Sequence, residues 1–156
     1  MDKGSRRSQA VGRIDHISIV VYPENIYKYV DQMSRVFGME FEPAVVLDDR
    51  NVILCMSLIA GIQFVAPIRP EGKNWEKLQN RGEGAMTVVL GVDDLNAAIE
   101  RAKSNGAEVK YEIELPFSVP WRNKFDTFRE AALGDMCTLS LAIGQIEPKP
   151  NSGSPD

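Results

Sequence analysis

The chain of 156 residues contains one histidine, His16, within "GRIDHISIVV", Gly12 to Val21. An imidazole titrates near neutrality, so in an apolar setting it can move a proton, hydrogen-bond a carbonyl or hydroxyl, or ligate a metal. On a half-apolar strand it can equally be a satisfied structural group. A second chemically loaded stretch is "PFSVPWRNKF", Pro116 to Phe125, where two prolines fix a segment carrying Phe117, Trp121, Arg122 and Phe125. Large aromatics on an irregular loop either close over a ligand or pack against a neighbouring module or chain. Arg122 and Arg129 bring guanidinium forks that suit a carboxylate or phosphate bidentately, or serve as surface charges. Cys55 and Cys137 lie in "VILCMSLI" and "DMCTLSLAI", with no metal-ligand spacing between them. Both read as buried free thiols of a reducing compartment.

Several function classes are excluded at this level. With 18 basic and 22 acidic residues scattered along the chain and a net charge of -4, there is no basic footprint for nucleic acid. No apolar run approaches the roughly eighteen residues that span a bilayer, and "MDKGSRRSQA" has no apolar segment behind its basic residues, as a secretory signal would. The expectation is a cytoplasmic protein without a membrane partner. At this length, one domain or two small halves sharing a core can form.

The elements that must position these residues follow from periodicity. Residues 12–21 alternate as a strand, with Ile14, His16, Ser18 and Val20 on one face and Asp15, Ile17, Ile19 and Val21 on the other, more apolar one. Ile26, Tyr29, Val30, Met33, Val36 and Phe37 then fall at helical spacing up to Gly38, a glycine stop. Three β-rich stretches follow, "MEFEPAVVL", "NVILCMSLI" and "GIQFVAPI". A polar linker leaves room for a short helix over Trp75 to Asn80. Trp75 reads there as a packing residue. The pattern then restarts: a strand in "AMTVVLGV", a helix in "DDLNAAIERAKSNG", and strands in "AEVKYEIEL", "FDTFREAAL" and "MCTLSLAI". This internal repeat gives an α+β chain of two tandem βαβββ modules. The divisions are an N-terminal tail over 1–11, modules over 12–70 and 84–145 joined by a linker over 71–83, and a disordered C-terminal tail over 146–156 rich in Pro, Ser and Gly.

The repeat, with "IDHISIVV" and "GEGAMTVVLGVDDLNAAIERAKSNGAEV", resembles the vicinal oxygen chelate superfamily of glyoxalases, methylmalonyl-CoA epimerases, extradiol dioxygenases and bleomycin resistance proteins. The resemblance covers residues 12–144. It implies cupped sheets, a ligand cleft, and in metal-dependent members one ligand on the first and one on the last strand of each module. Carried over by position, those ligands are His16, Gln63 in "IQFVAP", Thr87 in "AMTVVLGV" and Ser140 in "TLSLA". A shift of register would instead turn Glu130 inward. One imidazole, one amide and two hydroxyls bring no carboxylate to offset a divalent cation. The resemblance therefore implies a protein with no bound metal or other cofactor, a weakly held divalent ion being the exception. It implies a homodimer that holds a small, partly apolar organic molecule through His16, Gln63, Thr87, Ser140, Trp121, Arg122 and Arg129. Such a protein either sequesters that molecule or acts on it as a metal-free isomerase or lyase with His16 as base. The alternative is a metal-dependent epimerase, glyoxalase or dioxygenase.

Overall fold

The computed structural model describes residues 11–150. Most of both expected tails, residues 1–10 and 151–156, lies outside the described residues. Among those described, no helix is long and apolar enough to cross a membrane. The element order is β1 (Arg13–Val20), α1 (Ile26–Phe37), β2 (Val45–Leu47), β3 (Val52–Ser57), β4 (Ile62–Pro67), α2 (Gly72–Arg81), β5 (Gly84–Gly91), α3 (Leu95–Ser104), β6 (Tyr111–Glu114), β7 (Phe125–Met136) and β8 (Leu139–Pro148). This is the α+β arrangement of two βαβββ modules, with α2 between them. The described residues divide into two compact units that do not coincide with the modules: residues 16–88 form one, and residues 11–15 together with 89–150 form the other.

In the 16–88 unit the strand order is β2-β3-β4-β1. β1 runs parallel to β4 with Ser18 opposite Gln63 and Val20 opposite Val65, and β3 is antiparallel to β4 with Met56 opposite Gln63. The apolar stripe of α1 (Tyr29, Val30, Met33) packs with Ile19, Val21, Cys55, Phe64 and Ala66, so the more apolar face of β1 is the one beneath the helix. α1 stops where Gly38 takes a left-handed φ of 64° and returns its N–H to Ser34 O, a conformation that glycine adopts without a Cβ clash. The expected strand over 39–47 is shortened to Val45–Leu47. Pro43 has no N–H to add to a ladder, although Glu42 N still bonds Met56 O at 2.8 Å.

In the other unit the order is β8-β7-β6, and β5 is divided, residues 84–88 belonging to the first unit and residues 89–91 to this one. Leu95, Ala98 and Ile99 of α3 pack on Val92, Ala131 and Ile143. The helix begins at Asp94, whose side chain accepts from Ala97 N–H at 3.0 Å, satisfying one of the N–H groups that a helix start leaves open. β8 pairs with β7 as far as Pro148 opposite Phe125, so residues 146–148 belong to a strand and not to the expected C-terminal tail. The expectation of two buried thiols is corrected in part. Cys55 is buried and Cys137 exposed, because Cys137 and Thr138 form the β7–β8 turn with φ of 50° and 68°.

Candidate functional site

Alternation along β1 turns His16, Ser18 and Val20 away from α1, and all three are buried, His16 at 1% exposure. Nε2 of His16 is enclosed and makes no hydrogen bond to a described residue, while the residue has other interactions. Two positions along the strand, Ser18 Oγ donates to Gln63 Oε1 at 2.8 Å. The parallel register that sets Ser18 opposite Gln63 makes this bond. It fixes the amide, engages one lone pair of Oε1, and leaves the amide N–H groups as donors. Val65, Leu54 and Met56 are buried beside it. The result is a short polar strip in an apolar strand face.

Thr87 lies half-buried on β5, next to β1 in strand order and within the unit that holds His16 and Gln63. Sequence reasoning passed over Ser18, the residue that fixes Gln63. Its signal was the shared face with His16.

The remaining expected site residues belong to the other unit. Ser140 sits opposite Asp135 near the tip of the β7–β8 hairpin, on the strand alternation of Ala142 and Gly144 and so opposite Ile143, which packs under α3. Glu130, opposite Gly144, shares that α3-distal face; a Cβ on Gly144 would lie 3.4 Å from Glu130 Cγ. Tyr111 is held above its ordinary value, first by burial and then by the charge of Glu130. Trp121 is 2% exposed, edge-on to Phe125 and Phe128 at centroid distances of 6.4 and 6.0 Å, and its Nε1–H is buried without a partner among the described residues.

Two of the expected ligand residues have partners within the protein. Arg122 is 1% exposed; its Nε donates to Leu115 O at 3.1 Å and its Nη1 to Phe125 O at 2.8 Å. The guanidinium lies 4.4 Å from the centre of the Phe117 ring. It ties the proline-bounded loop to itself, because a buried cation needs its donors filled. Arg129 points to the α3 side of β7, where Nη2 donates to Asn96 Oδ1 at 3.2 Å and lies 3.7 Å from Glu112 Oε2.

The donor set does not fit a tightly held divalent metal. In the unit containing His16 the candidate ligands are one imidazole, one amide oxygen already accepting from Ser18, and the Thr87 hydroxyl, none of which carries a negative charge. No group of three His, Cys, Asp or Glu residues that could hold a metal ion occurs among the described residues.

The strongest polar knot nearby was not read from the sequence. Glu83 accepts from Tyr22 N–H at 2.9 Å, from Asn25 Nδ2 at 2.7 Å and from the Tyr29 hydroxyl. Burial acts to raise its pKa, but the Asn25, Tyr29 and Tyr22 donors and the Lys28 charge outweigh it and hold the carboxyl below its ordinary value. The available signal was "GEG", an acid between glycines; Gly82 takes a φ of 75°, which lets the chain turn sharply into β5.

The profile of the Glyoxalase/Bleomycin resistance protein/Dioxygenase superfamily matches residues 15–117. No curated protein matches the chain in sequence. Among solved structures, a hypothetical protein from Bacillus halodurans C-125 superposes with a TM-score of 0.74 at 17% identity, covering 90% of this chain and 98% of that one. Streptomyces coelicolor methylmalonyl-CoA epimerase, in complex with 2-nitronate-propionyl-CoA, superposes with a TM-score of 0.70 at 20% identity, covering 87% and 98%. The Mycobacterium tuberculosis methylmalonyl-CoA epimerase gives 0.65 at 22%, covering 88% of each chain. At these identities the likeness is one of fold.

Proposed function

Because the chain belongs to the Glyoxalase/Bleomycin resistance protein/Dioxygenase superfamily, we propose that it is a small-molecule-binding member whose metal site has degenerated into a hydrogen-bonding strip. The supporting observation is the Ser18–Gln63 bond. It occupies the amide oxygen that a metal would use and turns Gln63 into a fixed donor beside His16. A partly apolar ligand places a carbonyl or hydroxyl against Gln63 and His16, with Thr87 supplying a further hydroxyl. In a sequestering protein this is the whole function. In a metal-free isomerase or lyase, the imidazole of His16 takes a proton from the bound molecule. A homodimer, implied by the superfamily resemblance, is part of the proposal; sedimentation at micromolar concentration tests it.

The second reading is a metal-dependent enzyme of the epimerase, glyoxalase or dioxygenase type. Glu130 is the observation that favours it, as a carboxylate on the α3-distal face of β7.

The two readings separate on zinc titration of the parent protein and of the double variant Gln63→Glu, Thr87→His. With His16 these changes supply two imidazoles and a carboxylate on adjoining strands. The parent is expected to bind zinc weakly and the variant about a hundredfold more tightly. A folded variant with no gain overturns the assignment of these three positions, and a parent that already binds tightly establishes the second reading.

A further inference from the structure

A cavity of about 200 Å³ opens beside the last turn of α2, remote in chemistry from the His16 strip, with Val20, Met86, Lys77, Arg81 and the Gly82–Gly84 turn among its lining. We propose that it is a subsite for an oxyanion, the phosphate or carboxylate of a small molecule. Lys77 and Arg81 stand four residues apart on α2, so they project from one side of the helix. Arg81 is exposed and Lys77 half-buried. Both have other interactions as well, and the subsite needs only that they line the cavity.

Glu83 is the one acidic residue of the lining, and its carboxylate faces other partners: it is held by Tyr22, Asn25 and Tyr29. Its two oxygens are fixed by these three donors. Gly82 and Gly84 add backbone without side chains to the wall, where an anion can come close to the main chain. Val20, at 4% exposure, and Met86 form an apolar boundary, and low polarity beside a charge pair strengthens its attraction for an anion. The volume is below the roughly 300 to 1,000 Å³ of a pocket for a whole drug-sized ligand, so the cavity takes a charged group rather than an entire cofactor. This inference stands independently of the function proposed for His16 and Gln63.

The test is calorimetric titration of the full chain with inorganic phosphate and, separately, with succinate, at ionic strength held constant by chloride. Binding of either with a Kd on the order of 1 mM is expected, weakened at least about tenfold in Lys77→Gln and in Arg81→Gln. Both variants change accessible side chains of α2, and circular dichroism verifies their folding. Phosphate binding alone assigns a phosphorylated ligand, and succinate binding alone a carboxylic acid. Binding of neither, or binding undiminished in both folded variants, overturns the proposal.

Discussion

At Cys55, enclosure among Val21, Ile26, Phe64 and Ala66 pushes the thiol pKa up to about 11. The thiolate is the reactive form, and burial removes both it and reagent access. Cys137, exposed at the β7–β8 turn, is open to reagents. An aromatic disulfide reagent at pH 8 is therefore expected to label Cys137 in the native protein and Cys55 only after unfolding, and Cys137→Ser is expected to abolish native labelling. Rapid reaction of Cys55 would contradict the packing described beneath α1. The two thiols show where sequence reading at this scale stops. Both lie in apolar runs, but a turn with two left-handed non-glycine residues leaves no periodic signal. The same holds for Arg122. Nothing in "PWRNK" distinguishes a guanidinium aimed at a ligand from one that fills the backbone carbonyls of its own loop.

Among the elements, the passage from β1 into α1 depends on Glu83 more than on any local cap, since Asn25 makes no capping hydrogen bond at the helix start and gives its amide to Glu83 instead. Glu83→Ala leaves the Tyr22 N–H and Asn25 without their acceptor and is expected to cost about 1–3 kcal/mol, the typical loss for such bonds in a partly exposed site. The pH dependence has a definite sign. A carboxyl held below its ordinary value contributes stability that is fully present above the unfolded-state pKa and is lost as pH falls through the lowered folded value. The Tyr29 phenol is raised, first by its bond to Glu83, so its contribution is present below the ordinary tyrosine range and lost as pH rises through the raised value. Denaturant melts across pH are expected to show a shallower acid limb for Glu83→Ala than for the parent; identical limbs would contradict the role given to Glu83. Elements with strong periodicity were legible: α1 ends at Gly38 as its spacing predicts, and α3 begins behind Asp94. The long strand expected over 39–47 failed at Pro43, because β-rich composition does not reveal which backbone groups find a partner.

For the whole molecule, the βαβββ repeat was legible because each module repeats the same alternation, helix stripe and glycine stop. The division into compact units was not, since it rests on contacts that no local pattern encodes: residues 11–15 group with residues 89–150. The candidate site was legible in part. His16 and Gln63 were candidates through the resemblance to the superfamily, whereas the Ser18 bond that fixes the Gln63 amide depends on strand register. That bond, with the missing carboxylate, carries the central claim that His16 and Gln63 serve hydrogen bonding and not metal ligation. The most direct test is elemental analysis of freshly purified protein, prepared without chelator or affinity metal. The account predicts well under one tenth of an equivalent, as an order-of-magnitude bound for a site lacking charged ligands, of zinc, nickel, iron, cobalt or manganese per chain. Close to one equivalent of any of these metals, retained through dialysis and lost in His16→Ala, would contradict it.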